Sequence, residues 1–284
     1  MARTDSAERH EPRTYLITGA SSGIGRATAH RLAGQGHRVI GTGRKDGADG
    51  PDGPDGPDGA GGVDIVADLG TREGRARLVE AAAELSGGRL DGVIACAGTA
   101  DFDPVTVRVC AFGAMATLTG LRPLLAAGRD PRAVTMTSVS ALHDVDRAIV
   151  DAVLADDEDA AVTAARAAVD RGEGHLVYSS AKHALVRWVR RTAVTPEWAG
   201  AGIPLNVVGP GVIRTPMSRP LIATEESRAI TATYVPMPLN GYGEPEQVAP
   251  LLDFLTSPGN THVTGQVVFI DGGADAVLRG EEGW

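Results

Sequence analysis

The sequence has few cysteines, no long apolar run and no excess of positive charge. Cys96 and Cys110 are its two cysteines, and both lie in apolar surroundings. We therefore expect reduced core residues of a cytoplasmic protein rather than a disulfide framework. No run of about 18 apolar residues occurs, so no membrane-spanning helix is expected. A formal net charge of -9 argues against nucleic acid or an anionic membrane as partner, and the charged start MARTDSAERHEPR lacks the apolar core of a signal peptide.

Strand-like and helix-like segments alternate along most of the 284 residues, which is enough chain for one large α/β domain. Short apolar runs with β-branched residues predict buried parallel strands, and the segments between them repeat apolar residues at helical spacing. This order implies right-handed crossovers and an α/β fold with a single doubly wound parallel sheet (Rossmann-type) flanked by helices. The predicted strands are YLIT, VIGTG, VDIVAD, LDGVIACAG, RAVTMTSV, PLNVVGPG and QVVFIDGG.

Four segments fall outside this alternation. Residues 1–12 predict a flexible leader to one catalytic domain over 13–284. Residues 47–62 repeat Pro-Asp-Gly and predict a flexible surface loop, because collagen needs a far longer repeat. Residues 143–174 are acidic and Ala-rich with apolar residues at helical spacing, which predicts an insertion of one or two amphipathic helices. Residues 216–235 are apolar enough to suggest a lid over a non-polar substrate.

The segment TGASSGIG, from Thr18 to Gly25, follows a predicted strand and opens a predicted helix. Gly19 permits a tight turn, and Gly23 and Gly25 let backbone and helix approach a pyrophosphate closely. The helix N-terminus adds amide donors and a favourable dipole for that anion. The sequence therefore predicts a dinucleotide site at this turn.

The GxxxGxG spacing of this turn resembles that of the short-chain dehydrogenase/reductases, and the resemblance covers the chain from Tyr15 to Gly273. YSSAK, starting at Tyr178, resembles the YxxxK motif of that family, and Ser138 ends the strand from which the family draws its catalytic serine. CAG stands where the family usually has Asn-Ala-Gly, and GPGVIRTP resembles its Pro-Gly loop. The resemblance implies Ser138, Tyr178 and Lys182 as catalytic residues and no metal. It implies cofactor contacts from Gly19, Ser21, Ser22, Gly23, Ile24, Gly25, Asp68, Leu69, Cys96, Ala97, Gly98, Tyr178, Lys182, Pro210, Gly211, Ile213 and Thr215.

The residue types of the predicted centre suit proton transfer to a carbonyl. A phenol with its ordinary pKa is too weak an acid or base at neutral pH, and the ammonium of Lys182, one helical turn on, is expected to lower the pKa of Tyr178. Ser138 would hydrogen-bond the substrate oxygen, although Ser140 is an alternative. The resemblance gives Lys182 a second task, a bond to the nicotinamide ribose.

Two features depart from the family pattern. Ser138 and Tyr178 are 40 positions apart, and an inserted excursion between two fixed ends explains the excess at little entropic cost. Such an insertion resembles the bacterial 3α-hydroxysteroid dehydrogenase/carbonyl reductase subgroup. Cys110 stands where the family has an asparagine that helps to hold a water linking the lysine to solvent, and a thiol is a weak substitute. This puts the proton supply in doubt, but Cys110 is not expected to be a nucleophile.

Cofactor choice is predicted from the end of the second strand. Relatives that prefer NAD place an Asp there, whereas this chain has Thr42 or Gly43 followed by Arg44 and Lys45. Two cations without a carboxylate favour the 2′-phosphate of NADP(H) over NAD(H), unless Arg44 merely stacks on adenine. The resemblance assigns Asp68 to the adenine amino group.

These observations predict an NADP(H)-dependent carbonyl reductase or alcohol dehydrogenase that acts reversibly on a ketone of a cyclic, aromatic or steroid-like small molecule. A non-redox enzyme on the same fold (dehydratase, cyclase or epimerase) is the alternative, and Cys110 is its one support. A cofactor-binding interaction protein is a third possibility, against which Ser138, Tyr178 and Lys182 count. By resemblance we expect a homodimer or homotetramer.

Overall fold

The described residues of a computed structural model, 11–44 and 62–281, contain a seven-stranded sheet in the order β3-β2-β1-β4-β5-β6-β7. Every neighbouring pair in it is parallel. The order runs outward in both directions from β1 and β4, which is the switch point of a doubly wound sheet. The predicted fold class is confirmed. The strands are β1 (Thr14–Thr18), β2 (Arg38–Gly43), β3 (Ile65–Val66), β4 (Gly92–Ala95), β5 (Arg132–Met136), β6 (Leu205–Pro210) and β7 (Val267–Ile270).

Helices cover both faces of the sheet. Alternate residues of one strand point to opposite faces, so Leu16 joins the core beneath α2, α4 and α7, whereas its neighbour Ile17 joins the core beneath α1 and α9. The helices are α1 (Gly23–Gly34), α2 (Arg72–Ser86), α3 (Val105–Val107), α4 (Ala114–Ala126), α5 (Arg147–Leu154), α6 (Glu158–Asp170), α7 (His175–Thr192), α8 (Glu225–Tyr234), α9 (Pro245–Thr256) and α10 (Ala274–Arg279).

Element bounds differ from the sequence-based prediction at three places near the carboxyl edge of the sheet. β5 ends at Met136, so Ser138 follows the strand and is the N-cap of a short 3₁₀ helix, Val139–Leu142. The helix expected to begin at Tyr178 begins at His175, directly after Gly174. β3 is a two-residue strand. The leader up to residue 10, the Pro-Asp-Gly loop up to residue 61 and Lys45 lie outside the described residues.

One described helical run, Val105–Ala126, is long and apolar enough to cross a membrane by length and composition, with a mean hydropathy of 1.4. Within its most apolar window, 61% is buried inside the structure, as is typical of a core helix. It consists of α3, a π-helical turn at Arg108–Gly113, and α4.

The segment 143–174 contains the two helices α5 and α6, and a buried ion pair joins α6 to α2. The two terminal guanidinium nitrogens of Arg75, Nη1 and Nη2, donate to the Glu158 carboxylate at 2.8 Å, and both residues are 9% exposed. Arg72 and Arg108 lie at 3.4 and 3.7 Å from the same carboxylate. The hydrogen bond from Arg75 is the largest cause that holds the pKa of Glu158 below its usual range, against the opposing effect of burial.

We expect Glu158→Gln to destabilise the fold at neutral pH by about 3 kcal/mol, because it leaves the buried Arg75 charge without its partner. A carboxyl with a lowered folded-state pKa stabilises the fold above its unfolded pKa, and this contribution is lost as the pH falls through the folded value. The deficit of the variant should therefore shrink below the ordinary Glu pKa of 4.5. Thermal unfolding across this pH range measures it.

Asp159→Asn is the matched control, because Asp159 occupies the same first turn of α6 but its side chain is 87% exposed, 3.7 Å from Arg72. An exposed pair contributes less than about 1 kcal/mol. Equal destabilisation by the two substitutions, or a deficit for Glu158→Gln that does not change with pH, would contradict this assignment.

Candidate active site

Ser138, Tyr178 and Lys182 lie together at the carboxyl edge of β5. Tyr178 is in the first turn of α7, and Lys182 follows one turn later with its Nζ 5.7 Å from the centre of the phenol ring. The Ser138 side chain lies close enough to the phenol to lower its pKa. Ser140, the sequence-based alternative, instead donates its backbone N–H to Ser138 Oγ at 3.1 Å. This cluster can hold a substrate oxygen between the phenol of Tyr178, which can donate a proton, and the hydroxyl of Ser138, which can hydrogen-bond it.

Burial dominates the acidity of Tyr178. It raises the pKa of the phenol above its ordinary value, although the Lys182 charge and the nearby Ser138 side chain act in the opposite direction. The Lys182 ammonium lowers the pKa of Tyr178 as expected, but the loss of hydration outweighs it and leaves the pKa raised. At neutral pH the phenol is therefore protonated and can act as an acid.

Lys182 is a buried ammonium, 4% exposed, that donates to the carbonyl of Met136 at 2.9 Å. Burial acts to lower its pKa, but interactions with Cys110, Tyr178 and Cys96 together leave the pKa raised. Lys182 is thus held in its charged form beside the phenol. Burial also raises the pKa of the Cys96 thiol to about 12, so Cys96 is a neutral neighbour rather than a nucleophile.

Cys110 lies in the π-helical turn of the long core helix and is fully buried. Its Sγ donates to the carbonyl of Thr99 at 3.1 Å and accepts from the N–H of Thr99 at 3.4 Å. The thiol therefore fixes the loop after β4 to this helix. A π-helical turn widens a helix locally and is common at functional sites.

We expect Cys110→Asn to preserve or raise ketone reduction, because an amide can donate to and accept from Thr99 and offers stronger hydrogen-bonding groups for a proton relay. Steady-state kinetics of the two proteins measure the effect. Cys110→Ser is the control, since a hydroxyl keeps both hydrogen bonds in a smaller volume. Loss of a positioned proton-transfer group costs about 10-fold or more in rate. A fall of that size in the ketone reduction rate of Cys110→Asn would show that the thiol itself has a role.

The glycine turn forms a cradle at the N-terminus of α1. Gly19 has a φ of +72°, and a Cβ there would lie 3.0 Å from Ala97 Cα. A Cβ at Gly25 would lie 2.2 Å from the carbonyl oxygen of Gly19. No acidic residue occupies the first turn of α1, so its amides and dipole are available to an anion. These features fit the pyrophosphate of a dinucleotide.

An open cleft with about 580 Å³ of empty space lies beside this cradle. Eight of the predicted cofactor residues line it: Gly19, Ser21, Ser22, Arg44, Asp68, Leu69, Ala97 and Gly98. Thr42 and Gly43 line it at the end of β2. The sequence-based prediction missed three lining residues, Ala67, Thr99 and Val109. Thr99 directly follows the CAG motif, so that motif could have indicated it.

The other predicted cofactor residues in and after β1, β4 and β6 are not among the residues that line the cleft. Gly23, Ile24 and Gly25 form the first turn of α1, Cys96 follows β4, and Pro210 is the last residue of β6. Thr215 contacts the glycine turn, since its Cγ2 lies 2.9 Å from the position of a Cβ at Gly23. The loop that contains Gly211 and Ile213 is fixed by a bridge from Ile213 to Gly243.

Comparison with known proteins gives the class of the molecule. The family model described as enoyl-(acyl carrier protein) reductase matches residues 19–275. Similar proteins are named dehydrogenases and reductases over nearly the whole chain, so the chain is an NAD(P)-dependent oxidoreductase. It belongs to the short-chain dehydrogenase/reductase family, as its motifs predicted.

Three relatives illustrate the similarity. The chain is 34% identical to the 3α-hydroxysteroid dehydrogenase/carbonyl reductase of Comamonas testosteroni, over 93% of this chain and 97% of that one. It is 37% identical to the 3α-hydroxysteroid dehydrogenase of Pseudomonas sp. B-0831, solved with NADH, with a TM-score of 0.81 over 94% and 99% of the two chains. A putative gluconate 5-dehydrogenase of Beutenbergia cavernae, solved with NADP, is 30% identical with a TM-score of 0.69 over 92% and 96%.

Proposed function

We propose that this protein is an NADP(H)-dependent reductase that reversibly reduces a ketone on a cyclic, aromatic or steroid-like small molecule. The observation that carries the proposal is the convergence of Ser138 and Lys182 on the partly buried phenol of Tyr178, beside the glycine cradle. A ketone that accepts two electrons needs one proton at its oxygen, and this cluster offers that proton from a fixed position.

Each side chain has a defined task in this reaction. Ser138 hydrogen-bonds the substrate oxygen and orients it. A nicotinamide cofactor held at the glycine turn and the adjoining cleft would supply hydride chemistry to the carbonyl carbon. Tyr178 donates its phenolic proton to the oxygen, and Lys182 stabilises the resulting phenolate until solvent restores the proton. The steps reverse for alcohol oxidation, in which the Tyr178 phenolate accepts the proton.

The exposed apolar side chains of the proposed lid, residues 216–235, support an apolar substrate. Met217, Leu221, Ile230 and Tyr234 there are 45% to 62% exposed. Met217 faces the catalytic residues, because its Cε and Lys182 Nζ both lie 3.8 Å from the position of a Cβ at Gly98. An apolar skeleton that covers these side chains would remove them from water, which is favourable in proportion to the area buried.

The preference for NADP(H) rests on the end of β2. Thr42, Gly43 and the exposed Arg44 line the cleft there, and the guanidinium of Arg44 can pair with a 2′-phosphate. The two solved relatives named above differ, since one holds NADH and the other NADP.

Arg44→Ala is expected to raise the KM for NADPH about 10-fold, the value of one charge-assisted hydrogen bond, while the KM for NADH changes little. Steady-state kinetics with both cofactors and one ketone measure this. Arg187→Ala, an exposed position on α7, is the control and should change neither constant. Equal losses for both cofactors would contradict the assignment of Arg44 to the 2′-phosphate.

A substrate panel tests the function. NADPH oxidation is followed with cyclohexanone, 2-tetralone, a 3-oxo steroid and an open-chain ketone of similar size. The proposal expects turnover with cyclic ketones and the greatest efficiency with the larger apolar ones. Cofactor binding without turnover on the panel would refute it. A homodimer or homotetramer and a cytoplasmic location stay predictions.

A further inference from the structure

The contact between Ser138 and Tyr178 forms although two helices, α5 and α6, lie between them in the chain. The segment 136–146, which begins at the end of β5 and contains Ser138, is joined to the first turns of α7 by a series of hydrogen bonds. We call this series the seam. The seam explains how Ser138 lies next to α7 although the insertion with α5 and α6 follows it in the chain.

The seam holds Ser138 from both sides. On one side, Thr137 Oγ1 donates to the backbone carbonyl of Lys182 at 3.1 Å. On the other, His183 Nδ1 lies 3.0 Å from the carbonyl of Ala141, in the 3₁₀ turn that Ser138 caps, so the ring donates an N–H hydrogen bond to it. One link ends at Lys182 itself and the other at His183, the next residue of α7.

The second part of the seam uses the two serines between Tyr178 and Lys182. Ser179 Oγ donates to the carbonyl of Asp144 at 2.7 Å, and the N–H of Asp146 donates to Ser180 Oγ at 2.8 Å. Ser179 is 4% exposed and Ser180 fully buried. Loss of either hydroxyl removes the side-chain partner of a backbone group in a partly buried hydrogen bond, which is costly.

The base of the insertion is closed at the same point. Asp146 caps α5 by accepting from the N–H of Ala148 at 2.8 Å, and its other carboxylate oxygen pairs with Arg171 after α6 at 2.8 Å. Entry and exit of the insertion are therefore fixed to each other and, through Ser180, to α7. Motion of α5 and α6 need not reach Ser138.

We propose that Ser179, Ser180 and His183 are positioning residues that hold Ser138 against Tyr178 across the insertion. This inference rests on the proposed function, because it concerns the geometry of that centre. It assigns a task to the middle residues of YSSAK and to the residue after it, none of which touches the reacting atoms.

The test compares the Ser179→Ala/Ser180→Ala double variant and His183→Leu with the wild type, using NADPH and the best ketone of the panel. A displacement of about 1 Å in a reacting constellation can cost on the order of 100-fold in rate. We expect kcat to fall 10- to 100-fold by that argument, with the cofactor Kd unchanged. His183→Asn should recover most of the rate, because its amide can donate from nearly the position of Nδ1.

A pH profile separates positioning from simple loss of stability. The Ser138 side chain lowers the pKa of Tyr178 and so favours its phenolate. Displacement of Ser138 should therefore move the increase in the rate of alcohol oxidation to higher pH. A merely less stable protein keeps the wild-type profile at reduced amplitude. Glu158→Gln serves as the stability control, since it loosens the insertion away from the seam and should keep kcat.

Two results would overturn the inference. One is wild-type kcat in both seam variants, with Tyr178→Phe inactive. The other is a fall in kcat that the stability control matches, with no shift of the pH profile. If instead Tyr178→Phe itself retains the wild-type rate, the proposed function fails. Thermal unfolding of each variant shows that the protein assayed is folded.

Discussion

Tyr178→Phe is expected to lower the kcat of ketone reduction by about 1,000-fold, within the range supplied by a positioned general acid. The substitution removes one oxygen, keeps the ring beside Lys182 and leaves the glycine cradle untouched. Cofactor affinity should therefore stay within a few-fold of the wild type. Steady-state kinetics and a cofactor titration measure the two quantities. Tyr242→Phe is the control, because that hydroxyl donates to a backbone carbonyl at 3.4 Å outside the catalytic cluster.

The raised pKa of Tyr178 gives this prediction a pH dependence in the wild type. Reduction needs the protonated phenol, which is the dominant form through neutral pH, so its rate should stay level until alkaline pH. Oxidation of the alcohol needs the phenolate, so its rate should increase with pH over the same range. Retention of the wild-type rate in Tyr178→Phe, or a rate of oxidation that decreases with pH, would remove Tyr178 from the acid-base role.

Gly25→Ala is expected to weaken cofactor binding about 100-fold, because overpacking against backbone costs up to a few kcal/mol. The added Cβ would lie 2.2 Å from the Gly19 carbonyl oxygen, a backbone atom that cannot turn away. The glycine turn must then open, which displaces the amides that face the cleft. Titration with NADPH and NADH gives the Kd, and thermal unfolding without cofactor shows whether the fold survives.

Gly34→Ala is the matched control in the same helix, because a Cβ there meets no atom within 4 Å. It should leave the Kd unchanged and, since Ala is the better helix former by about 1 kcal/mol, should not lower the melting temperature. Wild-type affinity in a folded Gly25→Ala protein would show that the cofactor does not depend on this cradle.

The sheet could be predicted because its signals are local and periodic. Leu16 and Ile17 belong to a short apolar run, as expected for a strand that contributes side chains to the cores on both faces of the sheet. The glycine turn between β1 and α1 has few other structural interpretations. Tyr178 and Lys182 were found because a helix brings positions four apart together. Within the described residues, eight of the predicted cofactor residues line one cleft. These could be predicted because parallel strands end at a common edge of the sheet.

Other features depend on packing that a sequence does not display. Val109 lines the cleft from the π-helical turn at Arg108–Gly113, a local geometry that no sequence motif indicated. The end of β5 at Met136 depends on where its partner strand β6 stops pairing. The acidity of Tyr178 depends on burial, which is a property of the whole fold and outweighs its nearest charge.

The most direct test of the central claim is the stoichiometry of the reaction. Purified protein is incubated with NADPH and the best ketone of the panel, and both the cofactor consumed and the alcohol formed are measured, alongside Ser138→Ala and Tyr178→Phe. The account predicts that alcohol appears mole for mole with oxidised cofactor and that both variants lose this coupled turnover. Product formed while the cofactor keeps its redox state, or coupled turnover that survives both substitutions, would contradict it.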